Sequence, residues 1–264
     1  MLGTMDQDHI LTAERDGVLT LTLNRPDKMN AITPQMHIAL HEAFDRFAAD
    51  KSLHVCVVTG AGERAFCAGS DLVTFGDSKN APYPPSGYGG IAERFDLNKP
   101  VIAAVNGVCL GGGFEIALAC DIVVASETAV FGLPEPKVGL IAIGAGIHRL
   151  VRQIGMKQAM DALLTARNIP AEEGHRLGFV SRLVAPHDLE AAVEEICAKI
   201  IANAPLAVRL TKELAHWGLD QPTLADALAG QVEQPSFKQW LAAEDTREGP
   251  RAFAEKRKPE WKGR

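Results

Sequence analysis

VIAAVNGVCLGGGFEIALACDIVVASETAVFGLPEPKVGL, residues 101–140, carries the pattern that decides the fold of this 264-residue chain. Val101 to Val105 is a short apolar run of buried-strand type, halted by the turn dipeptide Asn106-Gly107. Residues 122–125 are another such run. Between them, Gly111-Gly112-Gly113 leads into a helical segment at 114–119. The same order of strand, turn, short strand, Gly-rich bend and helix occurs at 54–75. There HVCVVT (54–59) ends in Gly60-Ala61-Gly62, and FCAGSDL follows at 66–72. This is a crude internal repeat, and strands alternating with helices predict an α/β architecture with largely buried strands.

The same stretch holds two carboxylates in apolar surroundings, Glu115 and Glu135. An ionised carboxylate there is costly, so each is a candidate for acid/base chemistry. The residues alone also allow a plainer reading. Glu115 would then be a surface acid favoured by a helix N-terminus, and Glu135 a loop acid in Leu-Pro-Glu-Pro. Gly69 and Gly111–Gly113 leave backbone N–H groups open to a ligand, and two converging N–H groups would form an oxyanion hole. Tight packing is the ordinary reason for such glycines. A dinucleotide-binding loop is disfavoured, because no G-x-G-x-x-G follows an early strand.

Hydrophobic residues make up 47% and charged residues 23%, the balance of a packed protein. A net charge of −6 argues against nucleic-acid binding. No apolar run reaches the roughly 20 residues needed to span a bilayer. The N-terminus, MLGTMDQDHI, has neither a cationic start nor an apolar core, so a cytoplasmic location is expected. Cys56, Cys67, Cys109, Cys120 and Cys197 are scattered without metal-type spacing and read as reduced packing residues. The eight histidines form no HExxH or related pattern, so no metal site is expected.

Outside the central stretch, Val18–Leu23 alternates as a strand. Thr33-Pro34 starts a helix running to about residue 49, with Thr33 as N-cap. Beyond residue 156 the strand signal nearly vanishes, and helices are expected at 156–165, 188–203, 205–217 and 222–243. A boundary near residue 200 divides an α/β core, 1–200, from a helical piece, 201–264. Residues 75–98, FGDSKNAPYPPSGYGGIAERFDLN, are rich in Gly, Pro and Ser and hold Tyr83 and Tyr88. This stretch reads either as the lining of a substrate pocket or as a surface loop.

Residues 102–140 resemble the signature region of the enoyl-CoA hydratase/isomerase (crotonase) superfamily, of the two-glutamate hydratase type. The resemblance extends to LNRPDKMNAI at 23–32, ERAFCAGSDL at 63–72, GFVSRLV at 178–184 and REGPRAFAEKRKPEWKGR at 247–264. It covers nearly the whole chain with matching order and spacing. It implies a crotonase-like spiral of repeated ββα units with a C-terminal helical region. It also implies a homotrimer or a dimer of trimers, with no metal or redox cofactor. Coenzyme A arrives as part of the substrate thioester.

Carried over by position, the resemblance places the oxyanion hole on the backbone N–H groups of Ser70 and Gly112, leaving the Ser70 hydroxyl incidental. The two hydratase glutamates fall on Glu115 and Glu135. Arg25, Lys28, Ala31, Ala68, Ser70, Asp71, Leu72 and Gly112 match segments lining the coenzyme A site. Phe253 and Lys256 match tail positions that approach the coenzyme A of a neighbouring subunit. The implied reaction is reversible hydration of a trans-2-enoyl-CoA to a 3-hydroxyacyl-CoA. In it Glu115 is the base toward water and Glu135 the proton donor to the α-carbon.

Asp71 itself reads as a helix cap or loop stabiliser, and Asp121 as a group that positions backbone. One segment departs from the family pattern. Ala142-Ile143-Gly144-Ala145-Gly146-Ile147-His148-Arg149-Leu150 stands where hydratases of fatty-acid oxidation commonly carry Pro-Gly-Ala-Gly-Gly-Thr-Gln-Arg-Leu. This bears on the acyl group more than on the reaction type. His148 reads either as a polar pocket group or as a packed or surface residue. Competing readings are double-bond isomerisation, hydration or dehydration of an aromatic or carnitine-type acyl-CoA, and a noncatalytic RNA-binding or scaffold homologue. The acidic charge and the retained glutamate pair weigh against the last.

Overall fold

The computed structural model of the chain describes residues 9–73 and 83–264. Its first element is a hairpin of β1 (Ile10–Arg15) and β2 (Val18–Leu23), turned at Asp16-Gly17 with positive φ at both residues (50° and 79°). β2 alternates as expected: Leu19, Leu21 and Leu23 are fully buried and the intervening residues half-buried.

The strand pairs of the repeat anticipated at 54–75 and 100–120 are present, and a third pair follows. β3 (Val55–Gly60) and β4 (Ala65–Cys67), β5 (Val101–Val105) and β6 (Val108–Leu110), and β7 (Ile122–Ser126) and β8 (Val130–Gly132) are three consecutive pairs. In each pair the first strand joins one sheet and the second strand another. The larger sheet runs β1-β2-β3-β5-β7-β10, with β10 at Arg182–Val184, and is parallel from β2 onward. The smaller runs β4-β6-β8-β9, where β9 (Ile169–Pro170) lies antiparallel to β8. β9 and β10 are strands beyond residue 156, where the periodicity had indicated almost none. At two and three residues they are too short to register a period.

Among the described residues the helices are α1 (Pro34–Ala49), α2 (Gly112–Ala119), α3 (Gly146–Ile154), α4 (Met156–Thr165), α5 (Ala171–Leu177), α6 (Leu189–Ile201), α7 (Pro205–Leu219), α8 (Leu224–Gln231), α9 (Pro235–Ala242) and α10 (Asp245–Ala254). Thr33 caps α1, its hydroxyl accepting the Met36 N–H at 3.3 Å, with Pro34 at the first helical position. α2 starts two residues before the expected 114. Residues 146–154, which begin within the segment that departs from the family pattern, are helical. The helix expected at 222–243 is two helices, because Pro235 lacks an N–H to continue the first and opens the second.

Both faces of the parallel sheet are covered, as its continuous apolar strands require. On one face Met36, Leu40, Phe44 and Phe47 of α1 pack over the β2 leucines and the Phe66, Phe114 and Phe131 region. On the other, Val55, Val57, Ile102, Ala104 and Val124 meet Leu189, Val193 and Ile196 of α6. Each fully buried Phe or Leu contributes about 1.5–3 kcal/mol relative to exposure. All five cysteines are free and buried. α7 docks on the core through Lys212, whose Nζ donates to Asp121 Oδ2 at 2.7 Å and to the Lys99 carbonyl at 2.9 Å. Among the described residues no helix is long and apolar enough to cross a membrane.

Candidate active site

Strand register brings Glu115 and Glu135 together. β6 and β8 run in parallel with Leu110 opposite Gly132, and the Gly111 N–H donates to the Gly132 carbonyl at 2.9 Å. The two strands therefore end at one level. Beyond β6 the chain enters α2, whose first turn carries Glu115. Beyond β8 it passes Leu133-Pro134 into a tight turn that begins with Glu135. A Cβ placed on Gly111 would stand 3.1 Å from Glu135 Oε1, so this carboxylate lies over the entrance of α2.

The two carboxylates differ in support. Glu115 is 3% exposed, and its Oε1 accepts the Gly146 N–H at 2.9 Å. Gly146 opens α3, so the carboxylate sits on a helix N-terminus. Burial nevertheless dominates and pushes the Glu115 pKa up to about 7. The Glu135 charge adds to the rise, and the Gly146 and Gly144 amides oppose it. Glu135 is half-buried, and burial raises its pKa too. Its Oε2 is buried and has no hydrogen-bond partner among the described residues. An unpaired buried oxygen is costly, and a water between the carboxylates would satisfy it.

Facing the pair are two backbone donors. Ile32 donates to the Gly69 carbonyl at 2.8 Å and accepts the Asp71 N–H at 2.9 Å, forming a parallel bridge to Ser70. In such a bridge the Ser70 N–H points away from Ile32. Gly112 is the first residue of α2 and its N–H has no acceptor within the helix. A Cβ on Gly69 (φ +98°) would lie 3.2 Å from Gly112 N, which places the two donor-bearing segments side by side. Gly113 permits this approach: a Cβ there would lie 2.2 Å from the Cys67 carbonyl oxygen.

The remaining residues assigned by resemblance divide into two groups. Arg25, Ala31, Ala68 and Asp71 surround the Ser70 segment. Arg25 donates to Asp71 Oδ2 at 2.8 Å and to the Ala31 carbonyl at 2.6 Å, so its guanidinium ties the two segments together. Asp71 Oδ1 also accepts the Val73 N–H at 3.1 Å, as a cap does. Lys28 and Leu72 are exposed. Phe253, at the end of α10, and Lys256, just past it, are also exposed rather than gathered at the centre.

Asp121 accepts the Val101 N–H at 2.8 Å and so positions backbone, as expected. His148 is exposed on α3, and its carbonyl accepts from Arg152. Of residues 75–98, those at 75–82 lie outside the described residues. Tyr88 is buried, and its hydroxyl lies 3.1 Å from Ser70 Oγ. His37 had no expected role. It is buried, burial lowers its pKa to about 4, and Nδ1 of the neutral ring accepts the Gly89 N–H at 2.9 Å. Asn30 was likewise unsuspected. Fully buried at positive φ, it donates to the Ala61 and Ala65 carbonyls and accepts the Arg25 N–H.

Residues 13–264 match the family model described as enoyl-CoA hydratase/isomerase. The chain belongs to this family. Carnitinyl-CoA dehydratase of Salmonella arizonae is 42% identical over 259 residues, covering 96% of this family member and 98% of that protein. The protein of the same name from Proteus mirabilis is 41% identical over 264 residues, covering 98% and 100%. Among solved structures, enoyl-CoA hydratase from Mycobacterium marinum superposes with a TM-score of 0.91 at 40% identity, covering 97% of this chain and all of that one. The enoyl-CoA hydratase structure from Mycobacterium tuberculosis gives 0.91 at 39%, with the same coverage. This family member is thus an enzyme of the hydratase/isomerase type with a crotonase fold. Among its described residues no group of three or more His, Cys, Asp or Glu is placed to hold a metal ion.

Proposed function

We propose that the protein adds water reversibly to the double bond of a 2-enoyl-CoA. The observation that carries this reading is a buried and a half-buried carboxylate, both with raised pKa, set beside the backbone N–H groups of Ser70 and Gly112, which have no acceptor among the described residues. The thioester carbonyl oxygen accepts from Ser70 N–H and Gly112 N–H, which stabilise the charge that builds as the α-carbon becomes enolate-like. A water lies between Glu115 and Glu135. Glu115 takes one of its protons as its oxygen bonds to the β-carbon, and Glu135 gives a proton to the α-carbon. The pair ends with the proton count it began with, and dehydration reverses each role. The carboxylates titrate as a unit that must hold one proton.

Arg25, Lys28, Ala31, Ala68, Asp71 and Leu72 would border the coenzyme A path on the open side. Phe253 and Lys256 would meet the coenzyme A of a neighbouring subunit in a trimer or a dimer of trimers. Exposed apolar side chains on the C-terminal helices, Leu219, Leu224, Leu228 and Leu241, support such an assembly.

A second reading, elimination of water from carnitinyl-CoA, is favoured by the 40–42% identity to proteins of that name. Tyr83, 39% exposed beside the buried rings of His37 and Tyr88 at 5.0 and 5.7 Å, offers aromatic surface suited to a quaternary ammonium. The deciding experiment measures hydration of crotonyl-CoA, dehydration of carnitinyl-CoA and double-bond migration in 3-enoyl-CoA, using the wild type, Glu115→Gln and Glu135→Gln. Loss of at least 10³-fold in turnover by both variants, with CoA-ester binding kept, is expected. Near-wild-type hydration by either variant would falsify the two-carboxylate mechanism.

A further inference from the structure

The mechanism leaves Tyr88, a buried side chain at the centre of the site, without a role. Its hydroxyl pairs with Ser70 Oγ at 3.1 Å, and its ring lies across Gly112. A Cβ on Gly112 would stand 2.1 Å from both the Tyr88 hydroxyl oxygen and Cζ. At its other end, Tyr88 Cβ lies 2.8 Å from where a Cβ on Gly144 would be. That same position is 2.6 Å from Glu115 Oε2. The side chain thus spans from the donor-bearing segments to the back of Glu115.

The backbone that presents Tyr88 is clamped. Gly89 (φ +61°) lies so close to Ile116 of α2 that a Cβ would be 2.5 Å from Ile116 Cγ1. Gly90 (φ +68°) meets the α1 backbone, 2.5 Å from His41 N by the same measure. His37 accepts the Gly89 N–H and packs edge-on against the Tyr88 ring at 4.5 Å. Tyr88 is 4% exposed, whereas Leu72 and Lys28 are open to solvent. A thioester whose carbonyl sits at Ser70 and Gly112 has this fixed ring beside its acyl group.

We propose that Tyr88 is the inner wall of the acyl site and restricts the enzyme to short acyl groups. The proposal rests on the reading that the carbonyl sits between Ser70 and Gly112. An open apolar channel would reward each added methylene about fourfold in affinity; a fixed wall removes that gain.

The test is calorimetric binding of butyryl-CoA and decanoyl-CoA, neither of which can be hydrated, to the wild type, Tyr88→Ala and Tyr88→Phe. The wild type and Tyr88→Phe should bind decanoyl-CoA no more tightly than butyryl-CoA. Tyr88→Ala should shift the ratio at least tenfold toward decanoyl-CoA. Wild-type protein that binds decanoyl-CoA more than tenfold tighter, or binds neither thioester, overturns the proposal. An identical ratio in the wild type and Tyr88→Ala also overturns it. Crotonyl-CoA hydration is measured alongside: length discrimination without turnover supports the wall and removes only the hydratase reading.

Discussion

Glu115→Gln should stabilise the ligand-free protein at high pH while destroying its activity. The carboxyl has its ordinary value near 4.5 in the unfolded chain and about 7 in the folded protein, chiefly through burial. Between those values the folded state binds more protons than the unfolded state, so stability falls as pH rises through the window. Lifting the pKa from 4.5 to about 7 corresponds to about 3 kcal/mol once both states are ionised. Roughly 2.5 kcal/mol of this falls between pH 5 and pH 9. The group is 3% exposed, so solvent screening removes little of it.

A Gln at this position keeps an acceptor for the Gly146 N–H but never ionises. Its own hydrogen-bond mismatch is nearly independent of pH and cancels in a comparison across pH. The assay is urea or thermal unfolding of both proteins without ligand, at pH 5 and pH 9. The stability gap, variant minus wild type, should move about 2.5 kcal/mol in the variant's favour, equivalent to about 5 °C in Tm for a chain of this size. A gap constant to within about 0.5 kcal/mol, the usual effect of a surface substitution, would show that Glu115 does not carry a raised pKa and would remove it as a neutral-pH proton carrier.

Gly112→Ala should abolish turnover and cost about 1–3 kcal/mol, because its Cβ meets Tyr88 at 2.1 Å, and an unchanged Tm in thermal melts counts against that contact. Arg25→Met and Asp71→Leu break a pair whose side chains are each 13% exposed. Each single change should cost about 2–3 kcal/mol and the double change less than their sum, so strict additivity in a double-mutant cycle counts against the clamp. Ala145 has φ +75°, so Ala145→Gly should raise stability by about 1 kcal/mol, and an unchanged or lower Tm contradicts that strain.

The sequence was most legible where local chemistry and fold agree. Thr33-Pro34 opens a helix in any context, and Leu19, Leu21 and Leu23 mark a strand face by alternation alone. Residues 101–140 carry both the repeat and the two glutamates. No local start signal marks α3 at Gly144-Ala145-Gly146. Its N-cap is Ala145 in the left-handed region, without any capping side chain. The division at Pro235 is readable from proline chemistry, since a helix continuous over 222–243 would need the N–H that Pro235 lacks. His37 could not be assigned, because its role depends on a hydrogen bond to Gly89, 52 positions away.

The spacing of the two glutamates is itself a product of the repeat. A chain that sends alternate strands into two sheets, with β6 and β8 parallel neighbours in one of them, brings the end of β8 beside the end of β6, so Gly132 binds Gly111 and the acids that follow converge. Convergence alone would give two equivalent groups, and the structure makes them unequal. Glu115 is fixed by the N-terminus of α3, while Glu135 Oε2 is left unpaired in a buried place. A water at that oxygen relieves a desolvation cost already present in the ligand-free site, so ordering the nucleophile is partly offset before substrate arrives. Replacing Glu135 by Leu should therefore cost activity far more than stability. If Glu135→Leu instead unfolds the protein, the unpaired oxygen has a structural partner and the asymmetry assigned to the pair is wrong.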